Sequence, residues 1–308
     1  LMTTLMKRVE EAEADIRCDA RLIGLVQDHD GRVRGGVALV GEEELFIEAR
    51  QGVVLCMGGF IMNEAMTHRH IPHVESFCTR HGNAYDLGDG ILMGVAAGGH
   101  AIHMGEAFIS IAHYPPETLT FGIFVNDKGQ RFVNEDAYLA RIGHYASVQP
   151  GGRIFMFVDD AHFARPRYVL NTEIVATGES VAEVESEAGL PEGALQSTVA
   201  LYNEHAARGA DPLFHKAPQW LTPLDQPPYA LVSYELDKIV PAAFTLGGLD
   251  TLPTGEVVTP DREAIPGLYA AGRTAAGIPR TSKGYASGMS VADATFFGRQ
   301  AGKSAARR

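Results

Sequence analysis

The sequence has 308 residues, 45 % hydrophobic and 21 % charged, enough apolar material to bury a sizeable core in one large domain or two. A formal net charge of −12 without basic clusters excludes a nucleic-acid surface, because phosphate contacts need grouped lysines and arginines. Three scattered cysteines, Cys18, Cys56 and Cys78, lack CxxC spacing and fit reduced thiols in a cytoplasmic protein; no apolar run is long enough to cross a bilayer, and the first residues lack the charged start and apolar core of a signal peptide.

Leu5, Met6, Val9 and residues 12–16 place apolar side chains near helical spacing, which predicts a helix at the start. Residues 21–26 turn strand-like, Asp30-Gly31 is a hairpin turn signal, residues 36–40 pair as the return strand, and 44–49 add another. Residues 52–60 read as a buried strand ending in Gly58-Gly59, where backbone can approach a phosphate or ribose or simply close a tight turn. Residues 88–94 imitate GxGxxG but have one residue too many between the second and third glycines, and they follow a polar loop. A second hairpin is expected from 121–126 and 130–135 about a turn at 127–129, then a strand at 154–159. Residues 180–188 and 195–207 read as helices with glutamates on their outer faces, and the proline-rich 211–228 is expected to return the chain to the first domain. Residues 267–272 form a short apolar strand ending in Gly272, followed by a loop containing Gly277, Pro279 and Gly284, which lets Tyr285 and Ser287 project from irregular backbone. The last helix has Ser290 and Asp293 at capping-box-like spacing, and Ala292, Ala294, Gly298 and Ala301 are small enough for close packing.

In order and spacing, VVLCMGG at 53–59, GDGI at 88–91, GLYAAG at 267–272, the glycine-rich loop, and a GxS-VAD helix running into FFGRQAG resemble FAD-dependent dehydrogenases of the fumarate reductase and 3-ketosteroid dehydrogenase superfamily. The resemblance covers nearly the whole chain. It implies an α/β fold in which an FAD-binding Rossmann-like domain, residues 1–107 and 240–308, is interrupted by an α+β substrate-capping domain at 108–239. FAD would be bound through Leu22, Met57, Gly58, Gly59, Asn63, Asp89, Gly272, Arg273 and Gly288, and through the helix start Met289, Ser290 and Val291. A helix start carries unpaired N–H groups and partial positive charge, which suits a flavin that becomes negative on reduction. The strand-GxGxxG-helix fingerprint is absent and the chain opens on Leu1 in mid-helix, so the expectation is a truncated chain lacking on the order of 150–200 residues. Such a fragment would bind FAD weakly or not at all and would tend to aggregate.

The family's dicarboxylate reductases carry a histidine before TxGG, an arginine in the loop before the last helix and a cationic proton donor after the NE of the capping hairpin. Phe244, Tyr285 and Tyr138 stand at those positions, which disfavours a small dianion and suits a flat, apolar ketone. Tyr285 and Ser287 in GYASG, with Tyr138 in NEDAY, most resemble the 3-ketosteroid Δ4-(5α)-dehydrogenases; the Δ1 enzymes have YPGAG. On that resemblance hydride leaves C5 for flavin N5 and a proton leaves C4, with Tyr285 donating to the 3-keto oxygen and Ser287 and Tyr138 relaying the proton. The alternatives are a Δ1-dehydrogenase, a fumarate-reductase-like flavoprotein or an inactive fragment. The partners implied are a steroid and an electron acceptor. Gly288-Met289-Ser290-Val291-Ala292 imitates a nucleophile elbow, but no Asp then His follows, so Ser290 reads as a cap. His68, His70 and His73 lack a fourth ligand and do not predict a metal.

Overall fold

The structure is a computed structural model that describes residues 1–111, 117–165 and 172–307. The chain starts with α1 (Met2–Glu11), shorter than its apolar pattern suggested and with no residue buried. An antiparallel meander follows: β1 (Ala20–Gln27), β2 (Val33–Val40) and β3 (Glu43–Glu48). Its first turn closes at Gly31, φ 79°, where Asp28 Oδ1 accepts the N–H groups of Asp30 and Arg32. β4 (Val53–Leu55) stops before the glycine pair, and two residues on the Met57 N–H is taken by a threonine hydroxyl instead of a neighbouring strand. Then come α2 (Glu64–His70), α3 (Pro72–Glu75), β5 (Thr79–Arg80), α4 (Asp89–Ala96), β6 (Ala101–Ile102) and β7 (Ala107–Ser110). GDGI stands at a helix start: α4 begins after Gly88, φ 79°, a left-handed position suited to glycine.

The middle of the chain holds β8 (Ile123–Asn126), α5 (Leu139–Ser147), β9 (Ile154–Asp159), β10 (Ile174–Gly178), α6 (Val181–Glu187), α7 (Ala194–Ala206), β11 (Tyr229–Ser233) and α8 (Leu236–Ile239). The four strands form one antiparallel sheet in the order β10-β11-β9-β8. Strand alternation divides its side chains between two cores. Phe124, Ile154, Met156 and Val158 pack with Ile142 and Ala146 of α5, whereas Ile123, Val125, Phe155 and Phe157 pack with Val184, Leu195 and Val199 of α6 and α7. Each such fully buried side chain contributes about 1.5–3 kcal/mol relative to exposure.

Three expectations for this region need correction. No return strand forms over residues 130–135; the pairing there is a single bridge between Val125 and Arg131. The Phe124 N–H instead donates to Glu135 Oε1 at 2.9 Å, and Arg131 and Glu135 turn inward to an ion cluster with Asp211 and Lys216. The glutamates are not all outward: Glu185 is buried and accepts from the N–H groups of Gly193, Leu195 and Gln196, serving the otherwise unpaired start of α7. Residues 211–228 do not leave the region, since they feed β11, which pairs between β9 and β10.

The chain returns through β12 (Ala242–Thr245), β13 (Gly248–Leu249), β14 (Glu256–Val258), β15 (Ala264–Ala270) and α9 (Met289–Ala306). β12 lies between β5, to which it is parallel, and β7, to which it is antiparallel; β15 runs parallel to β4, with Ala270 beside Leu55. Late strands thus pair with early ones, across the intervening residues. β7 straddles the boundary drawn between residues 107 and 108. The whole is a mixed α/β fold.

Candidate functional site

Two neighbouring parallel strands, β4 and β15, end side by side, the place where open α/β sheets offer ligands a crevice. Each runs into a glycine with positive φ, Gly58 at 78° and Gly272 at 61°. Thr274, fully buried, fixes the first of these turns: its Oγ1 accepts Met57 N–H at 2.7 Å and donates to Gly58 O at 3.1 Å. Gly59 is required by close approach, because a Cβ there would run into the Thr245 hydroxyl. Arg273 does not extend into open space. Its guanidinium pairs with Asp86 at 3.1 Å, donates to Thr245 O at 3.1 Å and lies 4.8 Å over the Phe244 ring. Burial pushes its pKa below the ordinary arginine value, against the pull of the Asp86 carboxylate.

A cleft of about 720 Å³ opens along β4, with Leu22, Met57 and Asp89 in its wall beside Arg21 and Tyr85. Asp89 accepts from Arg21 at 2.7 Å. A larger cleft, about 1260 Å³, lies beyond the strand ends and is walled by α1, Cys56, Gly58, Gly272, Arg273, Ser290 and Val291. Gly59, Asn63, Gly288 and Met289 line neither cleft. The Asn63 amide is spent locally, accepting Met66 N–H and donating to Leu87 O.

The start of α9 differs from the sequence reading. Gly288, φ 82°, is the N-cap, and no side chain caps the helix. Ser290 lies within the first turn, and Asp293 is buried, accepting Ile278 N–H at 2.8 Å rather than reaching back to the helix start. Burial raises the Asp293 pKa. Of the small residues on α9, Ala301 is buried against Gly255, whereas Ala294 and Gly298 face the larger cleft and Ala292 is exposed.

Beside this helix start lies an aromatic cluster. The β7–β12 register sets Phe108 opposite Phe244, their rings stacked at 4.5 Å and 12°. Tyr285 meets Phe108 edge-on at 4.5 Å, and Tyr138, at the N-cap position of α5, stacks over Tyr285 at 6.2 Å. Leu139, Ala140, Leu246 and Met289 complete an apolar surround. The Tyr285 hydroxyl donates to Ser290 Oγ at 2.8 Å and receives the Ser290 N–H at 3.3 Å. Ser287 is exposed. Tyr138 and Tyr285 are therefore brought together, and the polar end of Tyr285 points at a helix N-terminus. Phe108, Asp86, Thr245 and Thr274 were missed by sequence reasoning. Phe108 had one usable signal, its place in an apolar run, but its partner is more than a hundred residues away.

FAD, the cofactor implied by the sequence resemblance, needs backbone that approaches a dinucleotide closely and donors for negative charge. Gly58 and Gly272 meet the first need at adjacent strand ends. The second is met by the uncapped α9, where a Cβ on Gly288 would point into open space with nothing within 4 Å. Two clefts flanking one strand end suit an elongated ligand, so the residues present fit the group.

A family model described as FAD binding domain matches residues 1–288. The chain is similar to the NADH:acrylate oxidoreductase of Vibrio harveyi, 30 % identical over 98 % of this chain and 31 % of that protein. It is also similar to a probable fumarate reductase of Shewanella frigidimarina, 27 % identical over 100 % of this chain and 53 % of that one. Among solved structures it resembles the 3-ketosteroid-Δ4-(5α)-dehydrogenase of Rhodococcus jostii in complex with 4-androstene-3,17-dione, with 38 % identity and a TM-score of 0.88 over 99 % of this chain and 62 % of that one. The chain spans about a third to a half of the length of these two curated relatives. Among the described residues no helix is long and apolar enough to cross a membrane.

Proposed function

Since the chain belongs to the FAD binding domain family, we propose that it forms the flavin- and substrate-binding part of an oxidoreductase that dehydrogenates a 3-oxosteroid between C4 and C5. The observation that carries this reading is the Phe108–Phe244–Tyr285–Tyr138 cluster. It is apolar and phenolic, and Arg273, the cation against it among the described residues, is already committed to Asp86. A dicarboxylate here would lose its hydration without gaining an uncommitted charged partner among the described residues. A fused-ring ketone would bury apolar surface against the rings and require only one or two donors at its oxygen.

Residues 1–107 and 240–308 form the flavin-binding part on this reading, and 108–239 the substrate cap. The clefts walled by Leu22, Met57, Asp89, Gly58, Gly272, Arg273, Ser290 and Val291 would hold FAD, with Gly288 and Met289 opening the helix beside it. FAD, when bound, supplies the oxidant for a two-electron dehydrogenation.

The difficult step for the protein is removal of the C4 proton, because a C–H beside a ketone is too weak an acid unless the developing enolate is stabilised. With substrate in place the Tyr285 hydroxyl turns its one proton from Ser290 Oγ to the carbonyl oxygen while still accepting the Ser290 N–H at the positive end of α9, so charge gathering on the oxygen is met by a donor that a fixed dipole supports. Tyr138 and Ser287 relay the C4 proton to solvent, each hydroxyl passing on its own proton as it takes one up, C5 gives up hydride to the bound oxidant, and the C4–C5 double bond forms. The dry aromatic wall keeps water from the enolate.

The test is product analysis. The full-length protein, loaded with FAD and given a 3-oxo-5α-steroid and a dye acceptor, is expected to yield a product with the new double bond between C4 and C5 by NMR. A C1–C2 double bond would transfer the reading to the Δ1 class, and no turnover of any 3-oxosteroid would refute it.

A further inference from the structure

Tyr285 follows a 3₁₀ turn, Ser282–Gly284, built by two hydroxyls that do different things. Thr281 works inside the turn, accepting Gly284 N–H at 3.2 Å. Ser282 points out of it and is fully buried. Its hydroxyl donates to Ala140 O at 2.8 Å and accepts Ile109 N–H at 3.3 Å. Ala140 lies in the first turn of α5, whose N-cap is Tyr138. Ile109 lies in β7, the edge strand of its sheet, next to Phe108.

One side chain therefore joins the loop of Tyr285, the helix of Tyr138 and the strand of Phe108. The three elements bury it completely. α5 lies so close on β7 that a Cβ on Gly143 would run into Ile109 O. The outward N–H of an edge strand buried in this way needs a partner, and Ser282 supplies it. A serine both donates and accepts through one oxygen, which an alanine cannot reproduce and which a threonine retains.

We propose that Ser282 is a positioning residue whose hydroxyl fixes the Tyr285 loop against α5 and β7, and thereby sets the 6.2 Å stacking of Tyr138 and Tyr285. Its catalytic consequence rests on the steroid reading above; its geometric consequence does not. Loss of the hydroxyl lets the loop shift while the flavin clefts, which Ser282 does not line, keep their form. A displacement of about 1 Å between groups that must both meet one substrate is enough to cost on the order of 100-fold in turnover.

The experiment compares Ser282→Ala and Ser282→Thr with wild type in the full-length, flavin-loaded protein, with Tyr285 labelled as 3-fluorotyrosine. Ser282→Ala is expected to lower kcat about 10- to 100-fold with KM within a few fold, and to shift or split the Tyr285 fluorine resonance. Ser282→Thr is expected to restore both. A Ser282→Ala protein with wild-type kcat and an unmoved resonance overturns the proposal. If Ser282→Ala does not fold, amide exchange on wild type decides: slow exchange at Ile109 supports the buried bond, and exchange as fast as an exposed loop overturns it. Should wild type ignore all 3-oxosteroids while Ser282→Ala still moves the resonance, the steroid reading falls and the positioning role stands.

Discussion

The phenolic oxygen of Tyr285 lies 2.8 Å from Ser290 Oγ and 3.3 Å from the Ser290 amide nitrogen, so a largely buried hydroxyl is anchored on the first turn of α9. That arrangement joins the aromatic cluster to the part of the chain that would face the cofactor. It also gives a neutral residue access to the helix dipole, which a substrate ketone would otherwise meet through water.

Tyr285→Phe preserves the ring contact with Phe108 but removes the donor. Turnover is expected to fall about 100- to 1000-fold, the range found when one donor to a developing oxyanion is deleted. Flavin absorbance per mole of protein should stay at the wild-type level. Unchanged turnover would remove Tyr285 from the chemistry.

Asp86 pairs with Arg273, receives Asn83 N–H at 3.1 Å, and fills the space a side chain on Gly58 would need. Asp86→Ala leaves the guanidinium without its carboxylate beside Phe244. The expected loss is on the order of 3 kcal/mol, because one partner of a largely buried pair is stranded. Urea unfolding measures it, and a loss below about 1 kcal/mol would mean that Arg273 finds another partner.

Acid should weaken the region around the β8–β11 sheet through Glu135 and Asp211. Burial opposes ionisation of both, but Lys216 and Arg131 outweigh it at Glu135, and Arg131 does so at Asp211, holding each pKa below its ordinary value. A depressed folded-state pKa means stability that is complete above the unfolded carboxylate range, 4.5 for Glu and 3.8 for Asp, and lost as pH falls through the lower folded values. Unfolding midpoints should therefore drop steeply below about pH 4, and Glu135→Gln should start lower and fall less steeply. Parallel curves for the two proteins would contradict the assignment.

His144 on α5 should behave differently. Burial first, then Lys283 and His73, bring its pKa down from 6.5 to about 4. The unfolded chain then binds more protons between these values, so this group removes stability as pH falls from 6.5 towards 4, and removes no more below that. NMR titration of the ring is expected to give a midpoint near 4. Lys283→Gln should raise it only in part, since burial is the larger cause; a midpoint near 6.5 in the unmodified protein would show the ring to be solvated.

Much of the site was legible because it depends on short stretches. Gly58-Gly59 and Gly272 were found as strand ends and the Asp30-Gly31 turn as a hairpin, since local backbone chemistry decides each. What failed depended on distant partners. The segment 130–135 follows a hairpin-like turn at 127–129, yet Arg131 and Glu135 answer to Asp211 and Lys216, some eighty residues later. Glu185 looked like a solvent-facing helix residue until α7 presented its unpaired N–H groups to it. Ser290 and Asp293 have capping spacing, but Gly288 starts the helix and Asp293 is drawn to Ile278. Asp86, the partner of Arg273, carried no motif.

Oxidation of a flat ketone, as proposed, and reduction of a small dianion leave opposite marks on the flavin, which anaerobic absorbance reads. The full-length protein is titrated with a 3-oxo-5α-steroid in one cuvette; in another, chemically reduced protein is mixed with fumarate or acrylate. The account predicts that the steroid bleaches the flavin band stoichiometrically and that neither acid restores it. Rapid reoxidation by an acid, with no bleaching by the steroid, would contradict the account and place the chain among the reductases of small unsaturated acids.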